Sequence, residues 1–367
     1  MTLRLTQNYT ERYNPGSHIW HITMKRLLVA RFSAFGDVAM TVPVVRCFLH
    51  QNTDVCITYV SQARFAPLFE GIERLTFVPA YLNDIHKGVT GLYRLFKEAI
   101  TASEEEIDVF IDLHSVLRTF IFRLYAMARF IPVYSMNKGR KARHELTKGG
   151  INKRPLRAIP ERYADVFRRC GFKLHLDREY GIKKLPFSPS ITRKTGFIPH
   201  AKYSVGIAPF SQHKGKTYPL GKMREVVEHL SGREDIQVVL IGGGRQETYM
   251  LERWAAPHAN VVCVAGKLTL TEELSLMSHL NVMVSMDSAN MHLCSMVGTR
   301  VISIWGATHR FGGFMGYGQS VEDVIEINDM ACRPCHVFGK KSCRYGTYEC
   351  MKRITPTTIT EKILSTL

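Results

Sequence analysis

No apolar run in the 367 residues is long enough to span a bilayer. The N-terminus lacks the apolar h-region of a secretory signal. Acidic residues are in short supply: 32 Asp and Glu stand against 49 Lys and Arg, for a formal net charge of +17. That excess selects anionic partners, whether nucleic acid, sugar nucleotides or an anionic membrane surface. The first small-residue turn, Ser33-Ala34-Phe35-Gly36, has no GxGxxG pattern, which argues against a nucleotide-dependent oxidoreductase. No stretch interleaves aromatic with basic residues as a nucleic-acid-binding surface does, and no nucleic-acid-binding motif occurs. A basic nucleic-acid-binding protein with a zinc-held tail is therefore the weaker alternative to an enzyme.

The nine cysteines, without a secretion signal, imply a reducing compartment. Cys47, Cys56, Cys170, Cys263 and Cys294 lie in apolar or amphipathic runs and read as small core residues. Cys332, Cys335, Cys343 and Cys350 are clustered as C-x2-C-x7-C-x6-C. Four thiolates can hold a structural zinc, but two C-x2-C pairs are lacking, so reduced thiols packing a loop remain the other reading.

What is present is a βα rhythm, repeated twice. Residues 1–23 are polar and aperiodic and read as a disordered or spurious leader. From Met24, strands are expected at 27–30, 55–60, 75–78 and 108–113. Helices alternate with them at 37–49, 63–70, 90–102 and 116–130. The stretch 138–194 is basic, with one helix near 162–170. The rhythm restarts with strands at 203–208, 236–241, 261–264, 281–285 and 300–306. Hydrophobic residues make up 45% and charged residues 22%, as in a soluble globular chain. The expectation is an α/β protein of two Rossmann-like, doubly wound domains facing a cleft. The N-terminal domain would span 24–185, the C-terminal domain with its Cys-rich tail 186–355, and a last helix 356–367.

Six segments carry chemistry. In Asp287-Ser288-Ala289-Asn290-Met291-His292, a strand ends on an acid and a helix opens on Ser288, so first-turn N–H groups face a ligand that is naturally a phosphate. Asp287 and His292 stand beside it to bond a sugar hydroxyl and a phosphate oxygen. In Ser211-Gln212-His213-Lys214-Gly215-Lys216, two mobile ammonium groups can reach a diphosphate and Ser211 adds a hydroxyl. Gly242 and Gly243 allow close approach after a strand, a weak signal alone. In Ser33–Asp37, Gly36 permits close backbone approach and Asp37 can take a proton from an attacking hydroxyl, or simply cap its helix. His114, Arg118 and Arg123 suit an anionic acceptor as well as they suit a plain surface helix. Arg140 and Arg143 belong to a loop that is either solvated or anion-docking.

These segments, in this order and spacing, resemble glycosyltransferase family 9, the heptosyltransferases of lipopolysaccharide assembly. The resemblance runs from Met24 onward and includes the opening LLVARFSAFGDV, the APFS…KTYPL loop, VVLIGGG, SMDSANMHL and the cysteine tail. It implies the GT-B fold, inversion at the anomeric centre, and no metal or other cofactor in catalysis. Asp37 would be the general base. Lys216 would hold the donor diphosphate, and Asp287, Ser288 and His292 the donor sugar and phosphates. Ser211, Lys214, Gly242, Gly243 and Ala289 would complete the donor side. Ser33, Gly36, His114, Arg118, Arg140 and Arg143 would face the acceptor. Two departures stand out: Ser288-Ala289 where the family usually has Thr-Gly, and Tyr218 for the commoner Trp. The implied partners are ADP-heptose and an anionic lipid-linked oligosaccharide, with no nucleic acid. The implied place is a peripheral contact at the cytoplasmic face of the inner membrane.

Overall fold

Among the described residues, eleven short strands build two parallel sheets. The computed structural model describes residues 24–150, 153–199 and 201–367; the leader expected at 1–23 lies outside them. The first sheet contains β1 (Lys25–Ala30), β2 (Val55–Gln62), β3 (Leu75–Ala80), β4 (Val109–Asp112) and β5 (Val133–Ser135) in the order 3-2-1-4-5. The second contains β6 (Tyr203–Ala208), β7 (Ile236–Leu240), β8 (Val261–Cys263), β9 (Val282–Met286), β10 (Arg300–Trp305) and β11 (Val324–Glu326) in the order 11-10-9-6-7-8. Every pairing is parallel. The central strands are buried on both faces, which is why they read as unbroken apolar runs.

Strand order reverses between β1 and β4 in one sheet and between β6 and β9 in the other. These are the points where doubly wound sheets open a crevice at their carboxyl edge. Residues 31–37, 113–116, 209–216 and 287–289 follow those four strands directly. Four of the chemical segments of the sequence therefore lie at the two switch points, while Gly242 and Gly243 follow β7.

Several elements differ from the sequence expectation. The helix expected over 37–49 is two pieces, Phe35–Ala39 and Thr41–Gln51. Residues 63–69 form a 3-10 helix containing Pro67 rather than an α-helix. The basic stretch holds Arg140–Leu146, Arg178–Gly181 and Pro189–Thr195 besides the expected Ile159–Arg169 helix. The final helix, Pro356–Leu364, forms as expected, capped by Thr355, and buries Ile359 and Ile363 in the core of the second sheet.

One buried apolar cluster is shared by the two units. It joins Val38 and Ala39 of the Phe35–Ala39 helix to Met291 and Leu293 of the Ala289–Met296 helix. The two units approach closely at Gly36: a Cβ there would stand 2.7 Å from His292 Cδ2 and 3.4 Å from Ala289 Cα. Gly36→Ala is expected to push the two units apart at the cleft, costing about 1–3 kcal/mol of stability, read as a fall in the thermal midpoint together with lost turnover.

Candidate active site

A cavity of about 1150 Å³ opens between the two carboxyl edges and is lined from both sides. On one wall β1 runs into Arg31 and the turn before Asp37. Arg31 is buried; its guanidinium donates to the Leu113 carbonyl and lies 2.8 Å from Asp37 Oδ2. The Ala34 N–H also points at Oδ2, at 3.4 Å. Oδ1 has no hydrogen-bond partner among the described residues. Asp37 is thus neither a free surface acid nor the residue that precedes its helix; it is the third residue of Phe35–Ala39. Burial works against its charge, but Arg31 first and His292 second outweigh burial and hold the carboxyl below the ordinary carboxylate range. Asp37 is therefore ionised at neutral pH, with one oxygen unengaged.

The facing wall carries Lys216 and Asp287, whose Nζ and Oδ2 are 3.0 Å apart. Asp287 is nearly sequestered, with 7% of its side chain exposed. Gly339 of the tail packs on the Lys216 stem, so a Cβ at Gly339 would meet Lys216 Cδ at 2.5 Å. The ammonium is held in place from behind by backbone, more firmly than the mobile charge expected from sequence. Ser288 occupies the N-cap of Ala289–Met296 but makes no side-chain cap; its Oγ is 3.2 Å from Ser285 Oγ. The first-turn N–H groups of that helix consequently have no side-chain acceptor among the described residues, which suits an anion. His292 is buried with Nδ1 unpartnered among the described residues, and burial pulls its pKa down to about 4. It is a neutral imidazole at physiological pH.

Of the remaining expected residues, Ser33, Gly36, His114, Arg140, Arg143, Ser211, Gly242, Gly243 and Ala289 also line this cavity. His114 is driven by burial, then by Arg31, to a pKa of about 3. Its Nε2 is 3.4 Å from Ser33 Oγ. Arg143 sits between two aromatic rings, 5.6 Å from Phe314 and 5.2 Å from Phe338. Two residues are not brought in. Lys214 is exposed and stands over the Tyr348 ring at 5.4 Å. Arg118 is exposed on the outer side of its helix. Arg123 has a bracing role: its Nε donates to buried Asp112 at 2.6 Å, while Asp112 Oδ1 accepts from the His114 and Ser115 N–H groups at 2.8 Å. That brace fixes the loop presenting His114. Further along the basic stretch, Lys148 pairs with Glu145, and Arg157 with Glu161 and Asp165, so these positions form solvated ion pairs.

The tail cysteines have mixed surroundings. Cys335 Sγ donates to the Cys332 carbonyl at 3.2 Å, and Cys350 is buried in the second core, where burial lifts its thiol to about 11. Cys343 is lowered because backbone N–H groups from Tyr345 to Tyr348 outweigh its burial. Among the described residues, no group of three or more His, Cys, Asp or Glu is placed to hold a metal. The four thiols Cys332, Cys335, Cys343 and Cys350 nonetheless lie near enough to act on one another: Cys332 and Cys343 raise the Cys335 thiol, and all three raise Cys350, after burial in each case. The tail is anchored by Arg333, 1% exposed, donating to the carbonyls of Gly306 (2.6 Å), Trp305 (3.0 Å) and Thr308 (3.1 Å) and paired with Glu326. Anchored so, the tail delivers Phe338, Lys340 and Lys341 to the cavity.

Sequence reasoning missed those lysines, as well as Glu247, Glu273 and the partnering role of Arg31. Glu247 accepts from the Gly243 N–H at 2.8 Å and so occupies the glycine turn from within. Glu273, in the cavity wall, is raised to about 7 by burial.

Comparison with known proteins bears on the family and the fold. The sequence model of glycosyltransferase family 9 (heptosyltransferase) matches residues 104–346. The chain is similar to the lipopolysaccharide core heptosyltransferase OpsX of Haemophilus influenzae, 22% identical over 284 residues, or 77% of this chain and 79% of that protein. Among solved structures it is similar to a family 9 glycosyltransferase from Veillonella parvula, with a TM-score of 0.70 and 16% identity, covering 93% of this chain and 97% of that one. It is also similar to the E. coli heptosyltransferase WaaC with ADP, with a TM-score of 0.64 and 17% identity, covering 93% and 100%. At such identities the structures speak for the fold, and the fold they share is GT-B.

Proposed function

We propose, since this chain belongs to glycosyltransferase family 9 (heptosyltransferase), that its cleft transfers heptose from ADP-heptose to a hydroxyl of the lipopolysaccharide inner core. The observation that carries this reading is one cavity with an ionised, half-free carboxylate on one wall and a braced ammonium beside an open helix start on the other. OpsX, the relative acting on the lipopolysaccharide core, and WaaC, solved with ADP, support the acceptor and the nucleotide.

In the proposed reaction the acceptor oxygen attacks the anomeric carbon from the face opposite the diphosphate, so the centre inverts. The new C–O bond forms as the C–O bond to the β-phosphate breaks. The acceptor proton passes to Asp37 Oδ1. Charge develops on the departing diphosphate, where Lys216 and the N–H groups at Ala289 and Asn290 meet it. Lys340 and Lys341 extend the positive lining. This much fixed charge supports leaving-group stabilisation without a metal. Neutral His292, beside Gly36, is suited to hydrogen-bond donor oxygens near the reacting centre. Ala289, with its added methyl, narrows the space over the donor sugar. The enzyme would work as a peripheral protein at the cytoplasmic face of the inner membrane; no helix among the described residues is long and apolar enough to cross one.

Titration calorimetry with ADP-heptose, ADP, UDP-sugars and GDP-sugars tests the reading. ADP-heptose and ADP should bind and the other nucleotides should not. Equal binding of UDP- or GDP-sugars would remove the donor assignment. Nothing in the structure favours the nucleic-acid alternative.

A further inference from the structure

The Leu117–Met127 helix buries Thr119, Phe122 and Ala126 on its inner side. Its outer side is apolar as well. Leu117, Phe120, Leu124 and Met127 recur at spacings of three and four, which places them in one stripe. All four are exposed, Leu117 by 76%. Phe130, in a left-handed turn just past the helix, is 94% exposed. The neighbouring Gly88–Thr101 helix extends the patch sideways. Its exposed Tyr93 meets Tyr125 edge-on at 5.3 Å, and the Tyr125 hydroxyl donates to the carbonyl of exposed Val89 at 3.0 Å. Isolated exposed apolar residues are ordinary, but a continuous stripe of large ones marks a contact surface.

Charge says what kind of surface this face meets. No Asp or Glu occurs between Leu113 and His144, a stretch that carries Arg118, Arg123, Arg129, Lys138, Arg140 and Lys141. Arg123 is committed to Asp112; Arg118 and Arg129 stand exposed beside the stripe. Apolar side chains flanked by guanidinium groups, with tyrosines at the margin, match the boundary between acyl chains and anionic headgroups. A second copy of this chain matches poorly, because an isologous contact would set these arginines against their own counterparts. Position agrees as well. Val116, the residue preceding the helix, and His114 line the cleft on the Asp37 wall, so the stripe begins where that wall ends.

We infer that the outer face of the Leu117–Met127 helix, with Phe130 and Tyr93, docks in the headgroup layer of an anionic bilayer and holds the Asp37 side of the cleft at the membrane surface. The inference rests on the proposed transfer to a lipid-linked acceptor and adds to it the surface that meets the lipid. The docked helix lies in the plane of the interface; it does not insert across it.

The test uses the full chain and vesicles of phosphatidylglycerol mixed with phosphatidylcholine, against vesicles of phosphatidylcholine alone. Wild type should co-float with the anionic vesicles and far less with the neutral ones. The triple variant Phe120→Ser, Leu124→Ser, Phe130→Ser changes only exposed side chains, and its thermal midpoint should match wild type. Its partition into anionic vesicles should fall about tenfold or more. Turnover on vesicle-embedded acceptor should fall in parallel, while turnover on an acyl-free, soluble acceptor stays within about twofold. Arg129→Glu should reduce binding to anionic vesicles alone. Failure of wild type to float, or undiminished flotation of the triple variant, would overturn the inference. So would a concentration-dependent dimer that the three serines dissolve, since a second copy would then cover the face. Absence of any turnover on the soluble acceptor counts instead against the proposed reaction and leaves the vesicle result standing.

Discussion

Asp37→Asn should reduce kcat by about 10²–10⁴-fold, the range for loss of a positioned general base, while ADP-heptose binds with little change. The expectation comes from how the two carboxylate oxygens are used. Oδ2 is taken by Arg31 at 2.8 Å and approached by the Ala34 N–H, which leaves Oδ1 to face the cavity. Asparagine keeps an oxygen for Arg31 but has nothing that accepts a proton. Donor affinity survives because the donor's charged groups are met on the opposite wall. Burial opposes the Asp37 charge, and Arg31 with His292 more than offsets it, so its folded pKa lies below that in the unfolded chain. The contribution to stability is present above the unfolded value, near ~3.9, and is lost as pH falls through the folded value. Across neutral pH the base is therefore ionised, and the acid limb of the pH–rate profile should fall below the ordinary carboxylate range. Arg31→Gln removes the main offset, so burial should raise the Asp37 pKa and carry that limb toward neutrality. A merely structural Arg31 would lower the rate without moving the limb. Full turnover by a well-folded Asp37→Asn variant would remove Asp37 from the chemistry.

Most of what places this site could be read from sequence, because the signals are local. Leu27–Ala30 and Val282–Met286 are short apolar runs with turn residues or an acid at their carboxyl ends, and strands buried on both faces leave that trace. The short strands Val133–Ser135 and Val324–Glu326 escaped notice: three residues show neither alternation nor a run. The break between Phe35–Ala39 and Thr41–Gln51 was hidden because Met40 and Thr41 are as buried as their neighbours, so the apolar pattern continues across it. The tail was legible only in part. Its cysteine spacing was readable, but the buried arginine that anchors it was not: Arg333 looked like any charged loop residue until its carbonyl partners came together from β10 and beyond. Gly339 behind Lys216 and His292 beside Gly36 are contacts between distant parts of the chain. No local pattern encodes them. Glu247 was legible only as a helix residue, since what matters is that its carboxylate folds back on the Gly243 N–H.

Replacing Lys216 by alanine should lower kcat/KM by about 10²–10⁴-fold, more than the loss of one favourable contact would give, because it leaves a buried charge uncompensated. Asp287 is sequestered and its partner in the site is Lys216 at 3.0 Å. Without the ammonium, the carboxylate would face an incoming diphosphate, so repulsion replaces attraction in the ground state. The effect should extend to kcat, since negative charge on the leaving group grows toward the transition state and the lysine interaction grows with it. Lys216→Arg should rescue only in part. The aliphatic stem passes against Gly339 backbone, where a wider planar head has little freedom to turn toward the phosphates. The double variant Lys216→Ala, Asp287→Asn separates the two contributions. If the uncompensated carboxylate dominates the damage to binding, the double variant should regain donor affinity relative to Lys216→Ala while kcat stays low. Calorimetry for affinity and saturating-donor kinetics for turnover read these separately. Normal affinity together with normal turnover in Lys216→Ala would mean that the diphosphate is held elsewhere. Lys340 and Lys341, delivered to the same cavity by the Arg333-anchored tail, would then be the cations to test next.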